Sequence, residues 1–569
     1  MKEFKNILGL LDSTEKIKLW FIIIMMFLVS IFEVISIGSI IPFTYSLINN
    51  FNNDIVVKVS KFFGAYSDQD KTQLFALLFI LLFTVSLIFK SIVMYFSWKF
   101  ILMREYFISK KLLKSYLQKN YTFFLNQNSS HISRNILSEV HEVVHSSLLP
   151  AVQFISHLIL SLLIIIFLLY YETQISFIAI FIISICFIIF YFIFKRKIHD
   201  FSELRLSSNL DRFKIIKDCF QLIREVKFLK IEDFFIKKFE KPGINYSISQ
   251  AVTLILATIP RYLIEIILIL LISFFLIYNY RFNNLNINDI LPTLSLFGFA
   301  AYKLLPSLHQ LYFNLSRIKY TSESLNELEN TIKSLNKKTF KKKQQTLTCD
   351  NFLKVNSLTF KYKGTEKLIL DKVNFKINKG EIIGIKGSSG SGKTTLLNII
   401  LGLIKPTHGN IYFDGHKLEN FENNNLRKII GYIPQDFYLL DATIRENITI
   451  GIEDQLINEK KLKKALIRSR LQEIIDDRGK KFKIGENGKR LSGGQKQRLS
   501  LARSIYFNPN LIIFDEATNS LDKKTESQIF NDIISFNEKP AIIIVSHQEE
   551  VLKHCQTIYK LNKGKLYKE

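Results

Sequence analysis

Long apolar runs recur along the first part of the chain, up to about Gln310, separated by polar stretches of different length. Each run is near or above the ~20 residues that a helix needs to cross ~30 Å of hydrocarbon. The polar stretches after the second and fourth runs are long and contain most of the basic residues between runs. The pattern predicts six transmembrane helices, at about Leu19–Ile48, Leu74–Trp98, Leu148–Tyr171, Ile175–Phe194, Thr258–Tyr278 and Ile290–Gln310.

The two long polar connections contain apolar residues spaced three and four apart, which indicates helices that continue the spans. The short link between the third and fourth spans, Glu172–Gln174, has no basic residue. Because basic residues accumulate on the inner side, both long connections and both termini are predicted to be cytosolic. Met1–Lys18 has no cleavable signal pattern and is predicted to form an amphipathic helix on the inner membrane surface.

The composition changes after Arg317, where the chain becomes polar and rich in lysine. This change predicts a linker at residues 317–349, between a transmembrane domain at residues 1–316 and a second domain at residues 350–569. Alternating apolar residues in Val373–Ile377 indicate a β-strand early in the second domain.

The overall composition supports a membrane protein. The chain has 569 residues, of which 50 are phenylalanine, and its mean hydropathy is +0.16. The formal net charge is +26. Nucleic-acid binding is one use of such an excess, but the basic residues cluster beside apolar runs. This placement favours a positive-inside bias and attraction to anionic lipid, and no nucleic-acid partner is expected. The four cysteines are scattered, so no disulfide framework is expected.

Gly387–Thr394 reads Gly-Ser-Ser-Gly-Ser-Gly-Lys-Thr and lies between an apolar run, Ile382–Ile385, and a helical run, Thr395–Ile400. A strand, a glycine-rich loop and a helix in this order are typical of a phosphate-binding loop, whose backbone N–H groups point at a polyphosphate. Lys393 would reach the β- and γ-phosphates, and the Thr394 hydroxyl would contact Mg²⁺. The predicted nucleotide contacts are Gly387, Ser388, Ser389, Gly390, Ser391, Gly392, Lys393, Thr394 and Thr395.

Two carboxylates follow another apolar run, Leu511–Phe514. Asp515 suits a Mg²⁺ contact, and Glu516 suits a base that polarises the attacking water. His547 follows a further apolar run, Ile542–Val545. These residues predict ATP hydrolysis with Mg²⁺ in the C-terminal domain.

Leu491–Gln495 reads Leu-Ser-Gly-Gly-Gln, and together with the preceding motifs it resembles the nucleotide-binding domain of ABC transporters. The resemblance covers nearly all of the chain from about Phe352 onward. It implies that the Tyr362 ring stacks on adenine. The signature residues implied to contact ATP are Ser492, Gly493, Gly494 and Gln495.

The same resemblance implies roles around the γ-phosphate. Glu516, His547 and Gln435 would be catalytic, and the metal contacts would come from Thr394, Gln435 and Asp515. Gln435 would also report the nucleotide to the transmembrane domain.

Six spans, two long cytosolic extensions and a C-terminal ATPase resemble the layout of an ABC exporter half-transporter. The implied fold is an all-α six-helix transmembrane domain fused to an α/β P-loop ATPase. The tips of the extensions, near Tyr121–Phe124 and Arg224–Phe234, would be coupling helices that dock on the ATPase; the alternative is solvated helix extensions. Asn519–Asp522 resembles the family's D-loop.

In that family the signature loop of one subunit binds ATP held by the other subunit, so two chains must enclose two nucleotides. Every catalytic position is intact here, which favours a homodimer over a heterodimer with one degenerate site. These positions are Lys393, Gln435, Ser492, Glu516 and His547.

Five ionisable residues interrupt the predicted spans: Glu33, Lys90, Arg261, Glu265 and Lys303. Each charge costs ~2.5–3.5 kcal/mol at mid-helix, and their positions in the spans place them within a band under about 10 Å deep. One interpretation is internal pairing, of Arg261 with Glu265 one turn away and of Glu33 with one lysine. The other is a cationic cavity for an anionic, phosphate-bearing substrate.

The segments Phe32–Phe43, Ile259–Glu265 and Tyr302–Ser307 resemble bacterial lipid-linked oligosaccharide flippases of the PglK type. That resemblance implies a polyprenyl-pyrophosphate glycan as substrate, membrane lipid as a partner and a bacterial inner membrane location. Lysine stands here where arginine is usual in that group, which makes bidentate phosphate recognition less secure. Ile55–Phe63 is either an amphipathic surface helix or an ordinary loop with an apolar anchor.

Other functions remain open at this point. The chain could export another amphiphile, such as a lipid A-like lipid, a peptide or a drug, although no protease domain precedes the first span. An ATP-gated channel or regulatory ATPase is a second class, disfavoured because the spans contain single charges and no continuous polar stripe.

Overall fold

The computed structural model describes residues 2–48, 54–65, 67–125, 127–282, 287–335, 349–362, 364–418, 426–516 and 539–569. These residues form two compact units. One contains Met1–Lys119 and Gln127–Thr339, and the other contains Asn120–Asn126 and Phe340–Glu569. The predicted D-loop at Asn519–Asp522 and the part of the predicted linker at 336–348 lie outside the described residues.

The first unit is helical throughout its described residues, and several of its helices are about 50 residues long. Two π-helical segments, Arg134–Glu139 and Val144–Leu148, flank the short helix α8. The α-helices up to residue 335 are α1 (Lys2–Gly9), α2 (Ser13–Gly38), α3 (Ile40–Leu47), α4 (Asp54–Phe63), α5 (Asp68–Leu117), α6 (Tyr121–Leu125), α7 (Ser129–Ser133), α8 (Val140–Val143), α9 (Leu149–Tyr171), α10 (Thr173–Gln221), α11 (Ile223–Leu229), α12 (Glu232–Phe282), α13 (Ile287–Tyr320) and α14 (Ser322–Leu335).

Five stretches of the described residues are long and apolar enough to cross a membrane, judged by length and composition. Each overlaps one of the first five predicted spans, although the fifth stretch ends at Ile267, within the predicted span Thr258–Tyr278. The sixth predicted span lies within α13, a helix of 34 residues that is not among the five. The five stretches are Ser13–Leu47, Asp68–Leu117, Ser129–Tyr171, Ser176–Gln221 and Glu232–Ile267.

Apolar side chains occur both between these helices and on their outer surfaces. Ile37, Ile164 and Leu296 are buried where α2, α9 and α13 pack together. Residues such as Ile80 and Phe181 are exposed in the isolated chain. A helix that is apolar on all sides is expected in a membrane, where lipid covers the outer face.

The N-terminal helix differs from the sequence-based expectation. We expected one amphipathic helix over Met1–Lys18, but α1 ends at Gly9 and the next helix begins at Ser13; α1 packs against α14. Asn6 donates to Asn326 at 3.2 Å, and Ile7 is buried. Helix α14 therefore covers part of α1, while Phe4 contacts Phe154 of α9 and Leu8 is exposed.

The long polar connections are helical, as predicted. Helix α5 continues for 50 residues and α10 for 49 without interruption, so each is roughly 75 Å long at ~1.5 Å per residue. The predicted tips contain short helices, α6 and α11. Lys230 ends α11 in the left-handed conformation, with φ 53°, and Val226 packs against the neighbouring helices.

The second unit contains two sheets. An antiparallel sheet has the strand order β2-β1-β4-β5, and a six-stranded sheet has the order β10-β9-β3-β8-β7-β6. The strands are β1 (Phe352–Phe360), β2 (Leu370–Asn378), β3 (Ile382–Lys386), β4 (His408–Phe413), β5 (His416–Lys417), β6 (Ile430–Ile433), β7 (Leu511–Asp515), β8 (Ala541–Val545), β9 (Thr557–Asn562) and β10 (Lys565–Lys568).

Short helices cover the sheets of this unit and connect their strands. The α-helices after residue 392 are α15 (Lys393–Ile400), α16 (Leu426–Ile429), α17 (Ile444–Ile448), α18 (Glu459–Arg468), α19 (Gln472–Arg478), α20 (Gly493–Ile505) and α21 (Glu549–Leu552), with 3₁₀ turns at Asp454–Leu456 and Glu486–Gly488.

The predicted strands around the motifs are confirmed and are parallel neighbours. Strand β3 pairs with β8, β8 with β7, and β7 with β6, all in parallel. These strands consist almost wholly of buried apolar residues, as expected for a parallel sheet covered on both faces.

Candidate functional site

The motif residues of the ATPase unit follow the carboxyl ends of four adjacent parallel strands. The phosphate-binding loop follows β3, His547 follows β8, Asp515 ends β7, and Gln435 follows β6. Carboxyl ends of parallel strands lie at one edge of a sheet, which is where α/β proteins bind ligands. The fold therefore brings together residues that are up to 160 positions apart (387 to 547).

Glycines in the loop allow it to pack closely against neighbouring backbone, in a conformation that a side chain would not permit. A Cβ added to Gly387 would lie 2.4 Å from the Leu561 carbonyl oxygen. Gly392 has φ 106°, and a Cβ there would lie 2.9 Å from the Ile369 carbonyl oxygen. Gly392 also precedes α15, whose N-terminal N–H groups favour an anion. The loop thus has the geometry expected of a phosphate cradle.

Lys393 points into this loop. Its ammonium donates to the Gly387 carbonyl at 2.6 Å and to the Ser388 carbonyl at 3.3 Å. His547 Nε2 lies 3.0 Å from the same nitrogen, and Glu516 lies 3.8 Å away. The lysine is buried, so its charge is held at the point where the phosphates are predicted to bind.

Glu516 contacts the other two predicted catalytic residues, His547 and Gln435. His547 Nε2 lies 3.1 Å from Oε1 of Glu516, and Gln435 donates from Nε2 to Oε2 at 3.0 Å. Glu516 has φ 50°, an unusual backbone angle for a residue other than glycine. Such strain at the end of a strand is common where a side chain must be aimed at a site.

Asp515 has a partner that the sequence did not indicate. Tyr432 donates a hydrogen bond from its hydroxyl to Oδ2 of Asp515 at 3.1 Å. Burial raises the pKa of Asp515 above its usual value, the Tyr432 hydrogen bond lowers the pKa, and the neighbouring Glu516 charge raises it. The Asp515 carboxylate fits Mg²⁺, which prefers oxygen ligands.

Tyr362 is placed beside the P-loop helix. Its hydroxyl lies 3.4 Å from the Thr395 hydroxyl, and its ring meets Phe360 edge to face at 5.0 Å between centroids. The ring is partly exposed, which is compatible with stacking on adenine. Thr395 itself is buried.

The signature motif begins helix α20. Ser492 is the N-cap: its hydroxyl accepts from the Gln495 backbone at 3.2 Å, and the Gln495 side chain accepts from the Ser492 backbone at 2.9 Å. Ser492 and Gly493 are exposed, whereas Gly494 and Gln495 are half-buried. A rigid, exposed helix N-terminus of this kind suits a phosphate presented from outside the chain.

Three of the five charges in the spans form one cluster. Glu33 is fully buried; Lys90 Nζ lies 2.7 Å from Oε1, and Lys303 Nζ lies 3.5 Å from Oε2. The sequence-based pairing hypothesis assigned Glu33 one lysine, but the carboxylate contacts two. The Lys90 side chain is 40% exposed, compared with 10% for Lys303, so Lys90 provides the accessible charge.

The remaining two charges form the pair expected from their spacing. Arg261 Nε donates to Oε1 of Glu265 at 2.8 Å, and both side chains are exposed on α12 in the isolated chain. The five residues are therefore two groups, one neutral and one with a net charge of +1 when both lysines are protonated.

A cleft beside Glu33 and Lys90 is lined by residues of α2, α5 and α9. Its polar lining includes Gln153, Ser156 and His157, none of which the sequence analysis singled out. His157 also lies 3.4 Å from the Ser307 hydroxyl. A histidine within a predicted span is itself a signal for a functional position, and it would have identified this cleft.

Comparisons with known proteins agree with this architecture. The family model described as "ABC transporter transmembrane region" matches residues 22–301, and the model described as "ABC transporter" matches residues 370–519. A solved structure of a bacterial Atm1-family ABC exporter with ATP bound aligns with a TM-score of 0.78 over 98% of this chain and 95% of that chain, at 19% identity. The fold is thus a helical transmembrane domain joined to an α/β ATPase domain, the architecture of ABC exporters. The chain belongs to the ABC transporter family.

Two curated relatives match over part of this chain. A leukotoxin translocation ATP-binding protein of a Pasteurella haemolytica-like species is 37% identical over 214 residues, 37% of this chain and 30% of that protein. An ATP-dependent lipid A-core flippase of Ralstonia nicotianae is 33% identical over 217 residues, 38% of this chain and 37% of that protein. The match spans about a third of the length of these relatives.

Proposed function

We propose that two copies of this chain form an exporter that hydrolyses ATP with Mg²⁺ to move an amphiphile across the bacterial inner membrane. The observation on which this rests is the arrangement of Lys393, Glu516, His547 and Gln435 at one sheet edge, beside a glycine loop. The ATPase and both termini are proposed to be cytosolic, since basic residues cluster in the long connections.

Different residues of the chain are proposed to bind the phosphates, hold Mg²⁺ and activate the attacking water. Lys393 and the α15 N-terminus hold the phosphates, and Thr394 and Asp515 supply oxygen ligands for Mg²⁺. Glu516 orients and polarises the attacking water, while His547 and Gln435 fix the Glu516 carboxylate from both sides. The exposed Ser492 cap is proposed to complete the site of a second chain.

The substrate is proposed to be a lipid-linked oligosaccharide on polyprenyl pyrophosphate. Support comes from the lysine cluster: Glu33 offsets one of two positive charges, and the more exposed lysine, Lys90, borders the cleft. A pyrophosphate headgroup would receive charge-assisted hydrogen bonds there. The neutral pair Arg261–Glu265 contributes no net charge, so the anion preference is assigned to Lys90 and Lys303.

The lipid A-core flippase and toxin translocation relatives support two other substrates, a lipid A-like lipid and a polypeptide. The test is flipping in proteoliposomes with polyprenyl-pyrophosphate glycan, lipid A and a peptide panel, each against ATPase stimulation. Transport of the glycan alone supports the specific proposal. Transport of lipid A or peptide without the glycan leaves an exporter but refutes this substrate.

A substitution at Lys90 tests whether the cluster of Glu33, Lys90 and Lys303 is responsible for glycan flipping in this experiment. Lys90→Gln removes one charge-assisted contact, worth about 1.5–3 kcal/mol, so glycan flipping should fall by roughly 10–100-fold. Lys99→Gln is the matched control, because Lys99 lies on the same helix, is exposed and contacts the Tyr95 ring instead. If Lys90 and Lys303 can each be changed to Gln without loss of flipping, the cationic site is wrong.

A further inference from the structure

Three side chains of the kinds that ligate metals meet on the helical unit, and none of them belongs to the sites described above. Glu105 lies in α5, His141 in α8 and His145 in the second π-helical segment. His141 Nδ1 lies 3.2 Å from Glu105 Oε1, and His145 Nε2 lies 3.4 Å from Glu105 Oε2. One ligand atom from each residue lies within 4.8 Å of the others.

Local structure explains why the two imidazoles come together. His141 and His145 are four residues apart, and their rings stack with centroids 4.2 Å apart and an interplanar angle of 32°. His145 belongs to a π-helical segment, and π-helical turns within helices often occur at functional sites. Glu105 contributes the third side chain from a different helix, so the cluster joins two separate parts of the chain.

The contacts of the two imidazoles with Glu105 require a proton on each facing ring nitrogen or a bound cation. A carboxylate only accepts hydrogen bonds, so both ring nitrogens that face Glu105 must bear a proton for the contacts to be hydrogen bonds. The alternative is a cation that shares the three lone pairs and displaces those protons. Ligands at about 2.1 Å from a tetrahedral ion lie roughly 3.4 Å apart, which is close to the two distances observed.

The geometry points to a divalent transition-metal site formed by Glu105, His141 and His145. Two imidazoles and one carboxylate suit Zn²⁺ and its first-row neighbours, whereas Mg²⁺ and Ca²⁺ prefer all-oxygen sites. The ligands are half-buried or exposed, so the ion can enter from solvent and keep one water. Once bound, it links α5 to the segment that leads into α9.

The test uses the full-length protein in detergent, purified without a polyhistidine tag and stripped of metal with EDTA. Zn²⁺ is titrated against a chromophoric chelator at pH 7.5, and Zn K-edge absorption gives the ligand distances. Wild-type protein should bind one more Zn²⁺ per chain than His141→Ala/His145→Ala, with Zn–N distances of about 2.0–2.1 Å. Affinity should fall as the pH drops toward 6, because protons compete for both imidazoles.

Two further variants distinguish the site from surface histidines and from misfolding. His199→Ala should bind Zn²⁺ like wild type, because among the described residues His199 pairs with a single exposed carboxylate, Glu203, at 3.8 Å. Glu105→Gln should weaken binding at least tenfold while elution volume and ATPase rate stay at wild-type values. The proposal is wrong if the double histidine variant binds as much Zn²⁺ as wild type. It is also wrong if His199→Ala loses as much Zn²⁺ binding as the double histidine variant. In either case the cluster is a set of hydrogen bonds only.

Discussion

Gln435 donates a hydrogen bond to the Glu516 carboxylate at 3.0 Å, and His547 contacts the other oxygen of that carboxylate at 3.1 Å. The carboxylate is therefore held from two sides by residues of two other strand ends. This restraint leads us to expect that Glu516 is the base.

Glu516→Gln should retain ATP binding and lose turnover. The amide keeps the size of the side chain but cannot accept a proton, and general-base catalysis is worth about 10²–10⁴-fold. Steady-state hydrolysis and nucleotide affinity are the two measurements. Glu549→Gln is the control, because Glu549 is an exposed carboxylate in the same region. ATPase activity near wild type in Glu516→Gln would rule out the role.

Tyr432→Phe should move the acid limb of the ATPase profile to higher pH. Burial already raises the pKa of Asp515, and the Tyr432 hydrogen bond lowers it by favouring the charged form. Without the hydroxyl the pKa rises further, so Asp515 is protonated, and Mg²⁺ is lost, at a higher pH than in wild type. The measurement is ATPase rate against pH at several Mg²⁺ concentrations.

Tyr412→Phe controls for this change, since Tyr412 lies in β4 and loses only a hydroxyl. If the acid limb is unchanged in Tyr432→Phe, or moves equally in both variants, the Tyr432 hydrogen bond does not control Mg²⁺ binding by Asp515 and the prediction is wrong.

Glu139→Gln should destabilise the helical unit. Glu139 accepts from Arg205 at 3.1 Å and from Asn209 at 3.0 Å, and the Glu139 and Arg205 side chains are each 1% exposed. Removing the negative charge leaves the buried Arg205 guanidinium without its carboxylate partner, at a cost of about 3–5 kcal/mol. Thermal unfolding in detergent measures the loss. Glu203→Gln, an exposed carboxylate on α10, should melt like wild type; equal melting of both variants would contradict the account.

The sequence predicted those features that depend on residues close together in the chain. The strand, loop and helix around Gly387 and the pair Arg261–Glu265 follow from spacing within one element, and the structure confirms these local features. Contacts between distant helices could not be derived. Lys90 and Lys303 meet at Glu33 because α2, α5 and α13 pack together, and the spacing along one helix does not report that packing.

The sequence also could not predict which surfaces of distant elements pack against each other. The sequence did not indicate that α1 packs against α14, because an amphipathic helix can cover its apolar face with lipid or with protein. The cluster of Glu105, His141 and His145 was missed because 36 residues separate the carboxylate from the first imidazole.

The central claim is that each ATP site needs the Lys393 loop of one chain and the Ser492 cap of another. The most direct measurement is the ATPase rate per chain in lipid nanodiscs that contain one chain, compared with nanodiscs that contain two. We expect single-chain discs to bind ATP but hydrolyse it at no more than about a hundredth of the two-chain rate, since transition-state contacts are missing. Equal rates per chain would contradict the shared site.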